Sequence, residues 1–126
     1  MKKPGHMPKK ALSYIGFATV YLFSFMPSAW SAELLMLEQD GCVWCERWDE
    51  EIGDIYPKTD ESKLAPLRRV DIDEKWPDDL QFVAREAFTP TFVLINDGEE
   101  IGRMRGYAGD EFFWVLLAEM LEKLPQ

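Results

Sequence analysis

Short apolar blocks along the sequence predict four β-strands. Residues 33–38 contain four consecutive apolar side chains, a pattern typical of a strand that is buried on both faces. Residues 67–72 alternate between apolar and charged side chains and predict a second strand. Residues 92–95 are apolar and β-prone, and the turn signal Asn96-Asp97-Gly98 separates them from a further alternating run at residues 101–107. The last two runs are therefore expected to pair as an antiparallel hairpin.

Helical spacing of apolar residues predicts two longer helices. Residues 45–56 place apolar side chains on one face and charged side chains on the other, until Pro57 ends or bends the helix. A closing helix begins at Gly109-Asp110, and its apolar stripe is expected to lie in the core. The stripe consists of Phe113, Leu116, Leu117, Met120, Leu121 and Leu124.

The remaining segments complete the predicted topology. Asp78 or Asp79 is expected to cap a short helix that reaches about Arg85. Residues 58–65 are polar and predict a loop or a frayed helical turn. The first two strands are joined by a helix and favour a parallel crossover, while the hairpin strands are antiparallel. The sequence therefore predicts an α/β fold with a mixed four-stranded sheet and helices on both faces.

The first 31 residues predict a secretory signal peptide, followed by a single domain at residues 32–126. A basic segment precedes residues 11–26, which carry no charge, and Ala29 and Ser31 provide the small side chains of a cleavage site. The basic residues are Lys2, Lys3, Lys9 and Lys10. The uncharged run is shorter than the ~18–20 residues that a membrane span needs, which favours cleavage over a retained membrane anchor. The mature chain is therefore expected outside the cytoplasm, where disulfides persist.

The charge of the mature chain restricts its partners. The full sequence has a formal net charge of −9, and its first 31 residues contain four of the 14 basic residues and none of the 23 acidic ones, so that cleavage leaves −13. Such an acidic domain does not favour nucleic acid or anionic lipid surfaces, which leaves basic or neutral protein partners. The only histidine, His6, is lost with the leader, so the mature chain has no imidazole for catalysis or metal binding.

Two cysteines in a Cys-x-x-Cys motif, Cys42-Val43-Trp44-Cys45, indicate redox chemistry. The motif follows a polar turn at residues 39–41 and opens the first predicted helix, where the unpaired N–H groups of a helix N-terminus favour a thiolate. A bridge that closes so short a loop restricts the unfolded chain little, so a purely structural disulfide is disfavoured. Two thiols without further ligands cannot complete a zinc site, although a linear Cu(I) dithiolate stays open.

The Cys-x-x-Cys motif after a strand, together with Thr89-Pro90-Thr91 before a hairpin, resembles the thioredoxin superfamily. The resemblance spans residues 33–124 and implies a thioredoxin-like fold. It further implies that Pro90 is a cis-proline beside the disulfide and that Thr89 offers backbone hydrogen bonds to a docked substrate chain. Trp44 is expected either to supply an apolar docking surface or to pack under the first helix.

The same resemblance implies thiol–disulfide exchange. No cofactor is expected, and the two thiols alone predict no metal site. Cys42 would attack a disulfide of a partner protein as a thiolate, and Cys45 would resolve the mixed disulfide that forms. The expected catalytic residues are therefore Cys42 and Cys45, while Trp44, Thr89 and Pro90 are expected to bind the substrate. The partners are protein disulfides, and the protein is expected to act as a monomer.

Residues 45–53, 55–59 and 65–71 look like the small periplasmic thioredoxins of the SoxS type, which are encoded with bacterial sulfur-oxidation genes. This closer resemblance implies a periplasmic reductant whose partners include sulfur-oxidation proteins. A reductant outside the cytoplasm must be re-reduced there, which implies a membrane thiol electron donor.

Two departures from the thioredoxin pattern bear on the chemistry. Met36 stands where thioredoxins carry a buried acid, so the second thiol lacks that proton acceptor unless Glu38 or water replaces it. Val43-Trp44 is neither the Gly-Pro of thioredoxins nor the Pro-His of strong oxidants, and the lack of a nearby histidine argues mildly against a strong oxidant. Arg69 could tune the site electrostatically, but a charged residue at a strand end is more often solvated, so Arg69 is not assigned to the site. The alternatives are a disulfide-forming oxidase or isomerase with the same fold, and a copper-binding module without turnover.

Overall fold

The structure is a computed structural model that describes residues 1–5 and 32–125. The signal peptide predicted for residues 1–31 therefore lies almost entirely outside the described residues. In the part of the chain that is described, no helix is long and apolar enough to cross a membrane. The domain predicted for residues 32–126 is described up to Pro125.

The described residues contain a mixed four-stranded sheet. Its strands are β1 (Ala32–Glu38), β2 (Leu67–Asp71), β3 (Thr91–Asn96) and β4 (Glu99–Arg105). Their spatial order is β2-β1-β3-β4, with β1 parallel to β2 and antiparallel to β3, and β3 antiparallel to β4. Asp97 and Gly98 form the hairpin turn with positive φ angles of 47° and 79°, which a tight two-residue hairpin requires. The predicted α/β class, mixed sheet and hairpin are confirmed.

Within the described ranges, three α-helices connect or follow the strands. They are α1 (Val43–Trp48), α2 (Asp60–Leu64) and α3 (Asp110–Leu121). Helix α1 continues directly into a π-helical turn at Asp49–Gly53, so the helix predicted for residues 45–56 starts earlier and stops sooner. Short 3₁₀ turns at Tyr56–Lys58 and Asp78–Leu80 complete the regular structure.

Two apolar clusters, one on each face of the sheet, explain the uninterrupted apolar run in β1. Leu34 and Met36 lie in the first cluster with residues of α1 and α3, whereas Leu35 and Leu37 lie in the second. Alternate residues of a strand point to opposite faces, so a strand covered on both sides needs apolar residues at every position. The second face is covered by the segment after β2, where the Trp76 indole N–H donates to the Leu80 carbonyl over 2.8 Å.

An aromatic group in the first cluster fixes α1 against the sheet. The Trp48 ring lies 5.4 Å from that of Phe92 on β3 and 5.6 Å from that of Phe113 on α3, and Phe92 and Phe113 are 5.1 Å apart. Trp48 is fully buried. Large aromatic rings bury more area than other side chains and prefer such tilted contacts. The position of the cysteines at the start of α1 therefore depends on Trp48.

Residues 58–65, predicted as a loop or a frayed turn, contain the well-formed helix α2. Thr59 caps this helix, because its Oγ1 accepts a hydrogen bond from the Ser62 N–H over 3.2 Å. The Tyr56 hydroxyl donates to the Ala65 carbonyl over 2.6 Å and holds the other end of the segment in the core. Two specific hydrogen bonds therefore order a segment that is polar in sequence.

The prediction of a short helix from Asp78 or Asp79 to Arg85 is wrong. Only the 3₁₀ turn Asp78–Leu80 forms, and Pro77 occupies its cap position without a side-chain hydrogen bond. The Asp79 carboxylate instead accepts two hydrogen bonds from the Arg68 guanidinium, over 2.6 and 3.0 Å. Because the Asp79 carboxylate is paired with Arg68 of β2, it does not cap a helix.

The apolar stripe predicted for the closing helix is correct except at one position. Leu116 is 40% exposed, while Phe113, Leu117, Met120 and Leu124 are buried and Leu121 packs at the edge of the cluster. Helix α3 carries apolar residues around its whole circumference, including the exposed Phe112. A helix of that composition has no polar face to mark which side meets the sheet.

Candidate active site

Cys42 and Cys45 form a disulfide at the start of α1, with their Cα atoms 5.2 Å apart. Cys42 is the N-cap residue, and its Sγ accepts a hydrogen bond from the Cys45 N–H over 3.1 Å. Gly41, with φ 73°, makes the turn between β1 and the motif in the left-handed region, which glycine adopts at little cost. The strand–turn–helix junction therefore holds both sulfurs at the N-terminal end of a helix.

The Thr89–Pro90 peptide bond is cis, and Pro90 is buried at the start of β3. The Pro90 carbonyl accepts a hydrogen bond from the Gly106 N–H over 2.7 Å, which ties this loop to the end of β4. Thr91, the next residue, pairs with Leu37 near the end of β1 that leads to Cys42. The topology thus brings Thr89 and Pro90 to the same end of the sheet as the cysteines.

Exposed apolar side chains accompany both motifs. Val43 and Trp44, between the cysteines, are exposed, and Trp44 retains 51% of its accessible surface. The alternative that Trp44 packs under the first helix is therefore wrong, and Trp48 fills that position instead. Phe88, directly before Thr89, is 59% exposed and is not among the site residues predicted from the sequence. The signal for Phe88 was present, since it is an aromatic residue that adjoins the proline motif.

Arg69, predicted to be a solvated residue at a strand end, lines the same cleft as the cysteines. A cleft of about 260 Å³ is lined by Glu38, Gln39, Asp40, Gly41, Cys42, Cys45, Glu46, Asp49, Arg69 and Asp71. The Arg69 guanidinium donates to Glu38 over 2.6 Å, pairs with Asp49, and lies 5.7 Å from the centre of the Trp48 ring. Hydrogen bonding to Asp49, followed by the charge of Glu38, raises the pKa of Arg69 against the effect of its burial. Arg69 reaches this position because β2 pairs in parallel with β1, where Arg69 lies opposite Met36. The sequence of a single strand does not show this pairing.

Met36 is fully buried and belongs to the same apolar cluster as Cys42 and Cys45. The acidic groups near the sulfurs lie in the cleft, where Glu38 and Asp49 are bound to Arg69. Glu38, the alternative proton acceptor suggested by the sequence, thus shares a cleft with Cys45. Among the described residues, no group of three or more His, Cys, Asp or Glu side chains is placed to hold a metal ion.

Solved structures of thioredoxins are similar to this chain. The periplasmic thioredoxin SoxS from Paracoccus pantotrophus, in its reduced form, is 44% identical, with a TM-score of 0.69 over 73% of this chain and 97% of that one. The Malassezia sympodialis thioredoxin Mala s 13 is 22% identical, with a TM-score of 0.54 over 71% of this chain and 77% of that one. Thioredoxin-2, described as a component of the malaria parasite protein secretion machinery, is 19% identical, with a TM-score of 0.54 over 71% of this chain and 84% of that one.

The last two similarities show the fold alone, whereas the first extends to sequence over almost the whole length of the relative. No protein-family model matches the chain, and no match was found among curated proteins. The chain also carries the Cys42–Cys45 disulfide of a Cys-x-x-Cys motif at the start of α1. The chain therefore belongs to the thioredoxin superfamily as a thioredoxin of the SoxS type, and it is a thiol–disulfide oxidoreductase.

Proposed function

We propose that this protein is a periplasmic reductant of disulfides in partner proteins, and that sulfur-oxidation proteins are among these partners. The observation that carries the proposal is the Cys42–Cys45 pair, held at a helix start beside exposed apolar side chains. The similarity to a periplasmic SoxS thioredoxin and the predicted signal peptide support the compartment.

The mechanism is a two-step exchange that transfers two electrons to the partner. The Cys42 thiolate attacks one sulfur of the partner disulfide, which forms a mixed disulfide and releases the other partner sulfur as a thiolate. The Cys45 thiolate then attacks the Cys42 sulfur, which frees the reduced partner and leaves the Cys42–Cys45 disulfide. The Cys45 N–H, 3.1 Å from the Cys42 sulfur, is placed to stabilise negative charge on Cys42.

The charges in the cleft support the reducing direction. Five carboxylates and a single guanidinium line the cleft with the cysteines. An excess of negative charge disfavours thiolates, and a dithiol that is not stabilised gives up its electrons more readily. Strong oxidants have the opposite property, because their reduced form is stabilised. We therefore infer that Cys42 and Cys45 are better reductants than oxidants.

Substrate docking is assigned to Trp44, Thr89 and Pro90, with Phe88 as an addition from the structure. Thr89 and Pro90 hold the partner chain in an extended form by β-type pairing of main-chain groups. Trp44 and Phe88 supply the apolar surface on which side chains next to the partner disulfide pack. The protein acts as a monomer and receives its electrons from a membrane thiol donor.

The reduction potential of the purified protein tests the direction of electron flow. A value near −270 mV, about that of thioredoxin, is expected for a reductant. A value near −120 mV, about that of the strong periplasmic oxidant, would contradict it and favour disulfide formation. Tight binding of one Cu(I) without any reduction of insulin would favour the copper-binding alternative.

Trapping with Cys45→Ser identifies the partners. This variant cannot complete the second step and should accumulate a mixed disulfide between Cys42 and the partner. The matched control is Cys42→Ser, which keeps one thiol but lacks the attacking one and should trap nothing. If both variants capture the same proteins to the same extent, the assignment of Cys42 as the attacking thiol is wrong.

A further inference from the structure

A continuous chain of contacts joins Trp44 to the loop that follows β4. The Arg47 guanidinium lies over the Trp44 ring, 5.7 Å from its centre. Arg47 Nε donates to Glu51 Oε1 over 2.8 Å, and the Tyr107 hydroxyl donates to Glu51 Oε2 over 2.5 Å. The two oxygens of one carboxylate therefore receive hydrogen bonds from two different elements of the fold.

The helix brings three members of this chain together. Trp44, Arg47 and Glu51 are spaced by three and four residues, so they lie on one face of α1 and its π-helical extension. Tyr107 follows Gly106, whose N–H donates to the Pro90 carbonyl. The orientation of Trp44 is thus linked to the same loop that holds Pro90.

Tyr107 is a rigid anchor for this chain. It is buried, and its ring makes an edge contact with Phe113 of α3 at a centroid distance of 6.3 Å. Hydrogen bonds from Tyr107 and then Arg47 lower the pKa of Glu51, and desolvation followed by the hydrogen bond to Glu51 raises the pKa of Tyr107. At neutral pH, Glu51 is therefore a carboxylate that accepts from a neutral hydroxyl and from a guanidinium.

Ion pairs as exposed as Arg47 with Glu51 contribute little to folding stability. Their geometric effect is larger, because an exposed tryptophan without support would lose rotamer freedom when a partner docks. A guanidinium held over the ring restricts that freedom before binding and also provides a cation–π contact. Trp44 lies two residues after Cys42, so docking of a partner near the attacking thiol is the property that the network would control.

We propose that Arg47, Glu51 and Tyr107 are positioning residues that hold the Trp44 ring beside Cys42 as a fixed surface for the docked partner chain. The inference rests on the proposed docking role of Trp44 and adds the residues that set its orientation. It implies that the network affects exchange with folded or extended protein substrates far more than exchange with small disulfides, which do not reach across Trp44.

Tyr107→Phe is the sharpest test, because it removes one hydroxyl and keeps the ring that packs on Phe113. In full-length protein labelled with 5-fluorotryptophan, the resonance of Trp44, assigned with Trp44→Phe, should shift or broaden. The resonance of Trp48 should stay in place. With insulin as the protein disulfide, KM should rise about threefold at constant kcat, while the rate with glutathione disulfide should change much less.

Two further variants separate positioning from a general structural effect. Arg47→Gln should reproduce the rise in KM, and Arg47→Lys should restore part of it, because lysine keeps the charge but lacks the planar group. The control is Lys63→Gln, which breaks a more exposed ion pair, with Asp60 on α2, away from Trp44. It should leave both the Trp44 resonance and KM unchanged.

The outcomes distinguish this inference from the proposed function. An unchanged Trp44 resonance in Tyr107→Phe would overturn the inference, and so would a changed resonance with an unchanged KM. Neither result would affect the reductase activity itself. If the unmodified protein reduces no protein disulfide, the proposed function fails, and the docking role of the network fails with it.

Discussion

Two tryptophans on the first helix, four residues apart, have opposite environments. Trp44 is 51% exposed, and Trp48 is fully buried between Phe92 and Phe113. Each has a guanidinium over its ring at 5.7 Å, from Arg47 and Arg69 respectively. The same pair of residue types therefore occurs twice, once at the surface next to Cys42 and once at the boundary of the core.

The difference shows how one helix can provide both rigidity and recognition. Trp48 holds the helix against β3 and α3, and thereby fixes the cysteines at its N-terminal end. Trp44 contributes little to the core and is free to contact a partner. The two guanidinium groups differ in the same way, since Arg69 lies in the cleft with the sulfurs and Arg47 lies against the surface ring.

The largest expected effect follows from the removal of the buried ring. Trp48→Ala leaves a cavity among three aromatic residues and should lower the free energy of unfolding by about 3–5 kcal/mol. Urea denaturation followed by circular dichroism measures this loss. Trp44→Ala, the matched change one helical turn away, should alter stability by no more than about 0.5 kcal/mol. Similar losses in the two variants would contradict the division between core and surface.

For the recognition of protein substrates, the exposed Trp44 should matter more than the buried Trp48. Trp44→Ala removes the apolar docking surface, and kcat/KM for insulin reduction should fall about tenfold, equivalent to roughly 1.4 kcal/mol of transition-state stabilisation. The control is Leu64→Ala on α2, which removes a similarly exposed apolar side chain far along the chain from the cysteines. An equal loss of activity in both variants would show that Trp44 has no special role in docking.

Arg69, whose guanidinium lies over the Trp48 ring, should influence the reduction potential of the two cysteines. Arg69→Met leaves the carboxylates of Glu38 and Asp49 without their cation, and the increased negative charge disfavours the thiolates of the reduced state. The reduction potential should therefore become more negative, by roughly 10–30 mV. Equilibration with a reference thiol–disulfide couple at pH 7 measures the shift.

Arg68→Met is the control for this effect, because Arg68 is the adjacent residue of β2 and pairs with Asp79 outside the cleft. Its potential should match that of the unmodified protein. An unchanged potential in Arg69→Met, or an equal shift in both variants, would show that the charge of Arg69 does not affect the cysteines, and a positive shift would contradict the expected sign.

Much of the sheet was predictable because its signals are local. Four consecutive apolar residues in β1 identify a strand covered on both faces, and Asn96-Asp97-Gly98 identifies the hairpin. The order of helices and strands then leaves few topologies. For α2 the sequence predicts only a loop or a frayed turn, because the stability of this helix comes from the Thr59 cap and from the Tyr56 hydroxyl, rather than from an apolar face.

Only the site residues that belong to a recognisable sequence motif could be predicted. The cysteines, the Thr89–Pro90 pair and the apolar position of Trp48 are visible in the sequence. The exposure of Trp44 is not, because residues four apart share one face of a helix. Arg69 is not predicted as a site residue, because a charged residue at a strand end is usually solvated. Its place in the cleft depends on the pairing of β2 with β1 and on ion pairs with Glu38 and Asp49, which are distant in sequence. These are tertiary contacts, which a local sequence pattern does not show.

The smallest expected effect is a pH dependence confined to the exposed tryptophan. Hydrogen bonds from Tyr107 and Arg47 lower the pKa of Glu51 below its usual value of 4.5, so the network is complete above that value and is lost as the pH falls through the lowered pKa. The fluorine resonance of Trp44 should be constant from pH 7 down to that value and shift only below it, while that of Trp48 should not follow. Glu51→Gln removes the titrating group and should abolish the shift. If the resonance of Trp44 still moves with pH in that variant, Glu51 is not the group that controls the ring.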